Sequence, residues 1–292
     1  MATVAQWVQG ARPRTLPNAI APVLVGTGAA LNAGQLRPVQ AVLALLVSIA
    51  MIIGVNYAND YSDGTRGTDD NRVGPLRLVG SGVAPAASVR AAAFGWLGLG
   101  LVAGLVLVLT TQHWWLLAVG VVCVLAAWFY TGGSKPYGYL GFGEVAVFLF
   151  FGPVAVLGTT YVQSGTPNLL AVLGAIGVGL LSCSVLVTNN LRDIDTDVEA
   201  GKRTLAVRLG DAGTRKLYAA LVTVPFVLSI IGGILAPWLL IGLLAAPLAV
   251  SLVRTVLGGV SGRDLIAILG KSGMLMLLWS LLTAIGLGLS AL

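Results

Sequence analysis

Charge is scarce in this chain. Only 10% of its 292 residues are Asp, Glu, Lys or Arg, against roughly 25% in ordinary soluble domains. A water-soluble protein of that make-up would expose apolar surface it has no means of covering, which excludes a cytosolic enzyme. Disorder is excluded as well, because the chain is 57% hydrophobic with a mean hydropathy of +0.92. The composition also excludes a nucleic-acid binder, despite a net charge of +6. Cysteine is limited to Cys123 and Cys183, both inside apolar runs. There they act as small hydrophobes, and neither a disulfide framework nor a thiolate metal site follows. The single histidine, His113, stands beside Trp114 and Trp115 and reads as an interfacial anchor. A polytopic membrane protein remains.

The apolar stretches are long enough to cross a bilayer, which takes about 20 residues each. They predict nine spans: 19–34, 39–58, 87–110, 114–130, 145–164, 168–188, 216–236, 237–256 and 272–291. The runs are continuously apolar, not alternating, so they predict an all-α integral membrane fold and exclude a β-barrel. Arg12 and Arg14 precede the first run, but no small-residue cleavage site follows a clean apolar core, so the first span is expected to stay as a helix. With the N-terminus in the cytoplasm, 16 of the 17 Lys and Arg fall on the cytoplasmic side, Arg37 being the exception. Loops on the outer side are short and almost uncharged, whereas 59–86, 131–144, 189–215 and 257–271 are long and polar. The chemistry is therefore expected at the cytoplasmic face. The 39 glycines fit close helix packing, as at Gly98, Gly100, Gly104, Gly174 and Gly177.

Of 11 acidic residues, nine lie in two loops. Asp60, Asp63, Asp69 and Asp70 follow the second span; Asp193, Asp195, Asp197, Glu199 and Asp211 follow the sixth. If each helix continues past the apolar zone, Asn56, Asp60 and Asp63 share a face at i, i+4 and i+7. Asn189, Asp193 and Asp197 share another at i, i+4 and i+8. Gly64 and Gly67 would end the first helix and Gly201 the second. Like charges so spaced repel, and cations offset the repulsion. Oxygen-only ligands suit Mg²⁺ or Ca²⁺, not Zn²⁺. Asp70, Asp195, Glu199 and Asp211 read as solvated loop charges. The same loops carry Arg66, Arg72, Arg77, Arg192, Lys202, Arg203 and Arg208, with Lys135 between the fourth and fifth spans. Acids and bases mixed at one rim describe a diphosphate site. An apolar span ending in Asn plus Asp occurs twice, four spans apart. The chain is thus expected to be one domain of two related halves, roughly 1–140 and 141–292, facing each other across a central cavity. A secondary transporter would instead place its polar residues near the midplane of broken helices. A non-catalytic lipid-binding scaffold would need no Asp stripes.

Asn59-Asp60-Tyr61-Ser62-Asp63, with Asp69 after it, resembles the first Asp-rich motif of the UbiA-type intramembrane prenyltransferases. The segment 189–197 resembles the second motif, and 201–210 its tail. The segments 11–17, 74–79 and 135–141 resemble the branch of that family that prenylates 1,4-dihydroxy-2-naphthoate for menaquinone. The resemblance covers nearly the whole chain. It implies nine transmembrane helices in a bacterial inner membrane, Mg²⁺, a polyprenyl diphosphate donor and loss of the ring carboxylate. Relatives within the family would take 4-hydroxybenzoate, homogentisate, haem or a sugar phosphate as acceptor instead.

By resemblance, Asp60, Asp63, Asp69, Asp193 and Asp197 are the metal ligands. Asp63, Asp193, Lys135 and Glu144 are the catalytic candidates. Glu144 would hydrogen-bond a ring hydroxyl or take its proton, or else lie at the rim in water. Arg12, Arg14, Asn18, Asn59, Arg72, Arg77, Tyr130, Tyr137, Asn189, Arg192 and Lys202 are the substrate-binding candidates. The loop after the fourth span departs from the family's Tyr-x-x-x-Lys pattern, with four residues between Tyr130 and Lys135.

Overall fold

The computed structural model describes residues 2–68 and 76–292. Among these residues the regular structure is entirely helical. In lipid a backbone can satisfy its N–H and C=O groups only internally, and continuous apolar runs do so as helices.

A short helix α1 (Val4–Gly10) opens the chain. Its start is fixed by a capping box, in which Gln6 N–H donates to Thr3 Oγ1 at 3.3 Å and Thr3 N–H to Gln6 Oε1 at 2.7 Å. There follow α2 (Pro17–Asn32), α3 (Pro38–Thr65), α4 (Ala86–Thr111) and α5 (Leu116–Phe129). The fifth apolar run is one rod in three parts: α6 (Gly143–Leu149), a π-helical stretch (Phe150–Leu157) around Pro153, and α7 (Gly158–Ser164). Then come α8 (Leu169–Arg192), a short α9 (Ile194–Glu199) and α10 (Leu205–Leu235). A 3₁₀ stretch (Pro237–Ala245) leads into α11 (Ala246–Leu257), and α12 (Leu265–Leu289) closes the chain.

Seven of the described helical rods are long and apolar enough to cross a membrane. The expected first and fourth spans are shorter than a crossing needs. α2 has 16 residues and α5 has 14, about 24 and 21 Å of helix against a hydrocarbon core of roughly 30 Å. α2 runs only from Pro17 to Asn32, ending before the turn at Gly34 (φ 72°), and the segment 130–136, with Gly132 and Gly133, ends α5 at Phe129. Other boundaries move as well, α8 running to Arg192 among them. α3 runs on to Thr65, α10 begins at Leu205 with a break at Gly210 (φ 66°), and α12 begins at Leu265.

α8 is the most enclosed rod, packed on α10, α12 and the π-helical stretch. Glycine permits the closest approach: a Cβ at Gly177 would lie 2.3 Å from Trp279 Cη2. By contrast Gly98 has open space around it. α2 and α12, the first and last long helices, lie side by side, with Asn32 Nδ2 donating to the Leu287 carbonyl at 3.2 Å. α3 and α4 form a second tight pair, and α5 rests on both. A fully buried Gln163 ties α2 to α7, donating to Thr27 Oγ1 and the Thr159 carbonyl, both at 3.1 Å.

Candidate active site

The rods enclose a cavity of about 1070 Å³. Its polar end is built where α3 and α8 run out, from Asn59, Asp63, Asn189, Asp193, Asp197 and Lys202. Its other limb is apolar and lies between α3, α4, α5 and the fifth rod, reaching Ala44, Leu107, Leu116 and Val162.

The first motif stays helical, as its spacing predicts, and α3 ends beside Gly67 (φ 71°). The face it turns to the cavity is Asn56, Asn59 and Asp63. Asp60 is not on that face. It is fully buried, and its two oxygens accept the N–H groups of Leu78 (2.8 Å) and Val79 (3.0 Å). Asn56 Nδ2 donates to the Ala11 carbonyl (2.9 Å) and Thr15 Oγ1 (2.8 Å), which holds the 11–15 segment at the rim. Asn59 Oδ1 accepts from Thr131 Oγ1 at 2.8 Å. Asp63 accepts a hydrogen bond from the Tyr139 hydroxyl and lies 3.5 Å from Arg77 Nη2.

The second motif differs from the continuous helix expected. α8 stops at Arg192, Asp193 is the hinge residue (φ −99°, ψ 10°), and α9 starts afresh before ending at Gly201 (φ 72°). Arg192 doubles back on both neighbours. Its Nε and Nη2 donate to the two oxygens of Asp193, both at 2.6 Å, and Nη2 also reaches Asn189 Oδ1 at 2.8 Å. Asp197 lies 3.6 Å from Lys202 Nζ, and that ammonium sits 4.7 Å from the centre of the Tyr139 ring.

Tyr139 therefore joins the two motifs, bonded to Asp63 on one side and stacked under Lys202 on the other. Sequence reasoning passed it over in favour of Tyr137, although both lie in the 135–141 segment. Burial and the adjacent Asp63 carboxylate push its hydroxyl well above the ordinary phenol range, so it serves Asp63 as a neutral donor. Its carbonyl accepts from Arg203 N–H at 2.8 Å, and Arg208 Nη2 donates to the Leu140 carbonyl at the same distance. Tyr137 and Tyr130 also line the cavity, in edge contact at 5.5 Å. Burial pushes the Tyr137 hydroxyl up to about 12, and it donates to the Ala126 carbonyl at 2.8 Å.

Arg12, Arg14, Asn18 and Arg77 line the cavity on the α1–α2 side. Arg12 adopts a left-handed backbone (φ 54°), rare without glycine. Asn18 is buried, with no hydrogen-bond partner for its Oδ1 among the described residues.

Two catalytic candidates stand apart. Lys135 is exposed and does not line the cavity. Glu144 is buried behind the wall, where its Oε1 accepts from Asn190 Nδ2 at 2.9 Å, and Asn190 lines the cavity. Asp69, Asp70 and Arg72 lie outside the described residues. Among the described residues no three carboxylate, His or Cys side chains gather to hold an ion between them. The side chains lining the polar end nonetheless offer oxygen donors, from Asp63, Asp193, Asp197, Asn59 and Asn189, with Glu199, Thr131 and Thr196 beside them. That set fits Mg²⁺, which takes one or two carboxylates and completes its shell with water and substrate phosphate.

The sequence profile of the UbiA prenyltransferase family matches residues 19–281. The 1,4-dihydroxy-2-naphthoate octaprenyltransferase of Mycobacterium tuberculosis is 58% identical over 97% of both chains. The Mycobacterium leprae protein of the same name is 54% identical over 97% of this chain and 96% of that one. Among solved structures, a UbiA homologue from Archaeoglobus fulgidus bound to GPP and Mg²⁺ superposes with a TM-score of 0.66. It is 14% identical and covers 94% of this chain and 98% of its own.

Proposed function

This chain belongs to the UbiA prenyltransferase family, and from that premise we propose the reaction it performs. It transfers a polyprenyl group from a polyprenyl diphosphate to 1,4-dihydroxy-2-naphthoate, the acceptor named for relatives at 54–58% identity, and so serves menaquinone biosynthesis. The observation that carries this reading is the shape of the cavity. It couples a rim of paired acids and bases to an apolar limb. Val47 lines that limb 16 residues before Asp63 on α3, about 24 Å of helix. One amphipathic substrate with a charged head and a long apolar tail fits both parts.

In this reading Asp63, Asp193 and Asp197, with Asn59 and Asn189, hold Mg²⁺. The ion supplies charge neutralisation on the leaving diphosphate, and the Archaeoglobus fulgidus homologue, with GPP and Mg²⁺ bound, supports it. Arg192 and Lys202 take up the rest of the charge as the allylic C–O bond breaks and the diphosphate leaves with the electron pair. Tyr139 keeps Asp63 oriented by donating to it. The apolar limb excludes water from the allylic cation. The ring carbon bearing the carboxylate then bonds to the cation. CO₂ leaves, and its bonding pair restores the aromatic ring as a prenylated quinol. Arg12 and Arg14 face the acceptor's carboxylate, with Asn18 beside them.

Nine helices in two related halves, 1–140 and 141–292, complete the proposed architecture, α2 and α5 being the two short members. The positive-inside rule puts the polar end in the cytoplasm. Mass spectrometry of purified protein in detergent tests the function, with Mg²⁺, octaprenyl diphosphate and either 1,4-dihydroxy-2-naphthoate or 4-hydroxybenzoate. A prenylated naphthoquinol lacking the carboxylate, read as its quinone after oxidation by air and lost in EDTA, is expected. Product from 4-hydroxybenzoate alone would move the protein to another branch of the family.

A further inference from the structure

Asp60 is the more enclosed of the two described acids of the first motif and, unlike Asp63, does not line the cavity. Both of its oxygens are committed to the backbone of the 76–84 segment, at Leu78 and Val79. That segment is pinned from the other side as well. Leu78 is fully buried in a small core with Tyr57, Ala58 and Val89, and it packs so closely on α1 that a Cβ at Gly10 would lie 2.6 Å from Leu78 Cδ1. A turn follows, with Ser81 N–H donating to the Arg77 carbonyl at 3.1 Å and Ala84 N–H to the Leu78 carbonyl at 3.0 Å.

Arg77 is the residue immediately before the two amides that Asp60 holds. It is buried, lines the cavity, and carries its guanidinium to within 3.5 Å of Asp63. A carboxylate accepting two backbone N–H groups makes strong, directional bonds. Here those bonds fix the peptide on the C-terminal side of Arg77, which sets where its side chain enters the site.

We propose that Asp60 is a positioning residue that acts on the reaction through Arg77, holding the guanidinium at the diphosphate end of the cavity, and is not a metal ligand. The two described acids of the motif, three residues apart, then do different work: Asp63 faces the substrate and Asp60 anchors the loop that brings a cation to it. The inference rests on the reading of the polar end as a diphosphate site.

The test is a double-mutant cycle on the full-length protein in detergent, with Asp60→Asn, Arg77→Gln and the pair. Each is scored by donor KM and by the Mg²⁺ concentration giving half-maximal rate. Asp60→Asn keeps one acceptor and faces the second amide with an NH₂ group. It is expected to raise donor KM about tenfold, the size of one charge-assisted hydrogen bond, with the Mg²⁺ midpoint unmoved. In the Arg77→Gln background it should add less than about twofold. A shifted Mg²⁺ midpoint at unchanged donor KM, or a full effect in both backgrounds, would overturn the proposal. Val79→Pro deletes one of the two N–H donors and leaves the carboxylate intact, so it covers an Asp60→Asn protein that does not fold. It should reproduce the rise in donor KM, and wild-type KM in that variant would equally overturn the proposal. Wild-type protein that forms no prenylated product refutes the proposed function instead. The same variants are then compared by their affinity for Mg²⁺-pyrophosphate, with the same expected pattern.

Discussion

Side chains introduced at Gly104 and Gly120 should discriminate between donors by length. Gly104 on α4 and Gly120 on α5 both line the apolar limb. A Cβ at Gly104 would lie 3.9 Å from Val47 Cγ2, and one at Gly120 would lie 4.0 Å from Leu101 Cδ2. Both are ordinary contact distances, so the fold accepts a side chain and its outer carbons project into the limb. Val47, next to Gly104, stands 16 residues from Asp63 on the same helix, about 24 Å away. A two-unit geranyl tail ends well short of that point, while an eight-unit tail passes it. The penalty is steric, not hydrophobic, because a tail displaced into the bilayer finds surroundings as apolar as Leu. Overpacking costs about 1–3 kcal/mol, which is about 5- to 150-fold in kcat/KM. Gly104→Leu and Gly120→Leu should therefore lose that factor with octaprenyl diphosphate and keep wild-type kcat/KM with geranyl diphosphate. Equal losses at both lengths, or an undiminished rate with the long donor, would refute the assignment of the limb to the tail.

Three further outcomes are expected. Asp63→Asn and Asp193→Asn should each abolish turnover in Mg²⁺ while the protein still elutes as wild type on gel filtration; activity in either would remove it from the metal set. Arg14→Gln should raise the KM of the naphthoate more than that of the donor, and the reverse ranking would reassign the residue to the diphosphate. Gly177→Ala drives a methyl to 2.3 Å from Trp279 Cη2. It should lower stability by about 1–3 kcal/mol in thermal unfolding while leaving both KM values alone.

The continuation of α3 past the apolar zone, to Thr65, was legible because helical spacing is written in the sequence. Which of two adjacent residues faces inward was not. Positions i+3 and i+4 flank the same line on a helix, so Asn59 and Asp60 are equivalent candidates until the crossing of α3 with its neighbours is known. In the structure Asn59 faces the cavity and Asp60 the 76–84 segment. The hinge at Asp193 was hidden for a related reason: no glycine or proline marks it, and the break follows from Arg192 folding back onto Asp193. Tyr139 was missed because its partners are distant in sequence, Asp63 being 76 residues away. The shortness of α2 was already visible, since the expected first span of 19–34 is no longer than the helix, whereas the expected fourth span took in Trp114, Trp115 and Tyr130, which lie outside α5.

The pairing of α2 with α12 also sets a schedule. Asn32 and Leu287, which bond across that seam, are 255 residues apart. At roughly 5–20 residues per second of synthesis, α2 waits some 13–50 s for its neighbour to be made. Through that interval the wall of the cavity is incomplete, and the small residues that α2 turns toward α12, such as Gly28 against Ala284, lie uncovered. The α2–α12 seam thus closes only at the end of synthesis, and a ribosome stalled before α12 leaves every metal ligand proposed here already made in a chain whose cavity wall is unfinished.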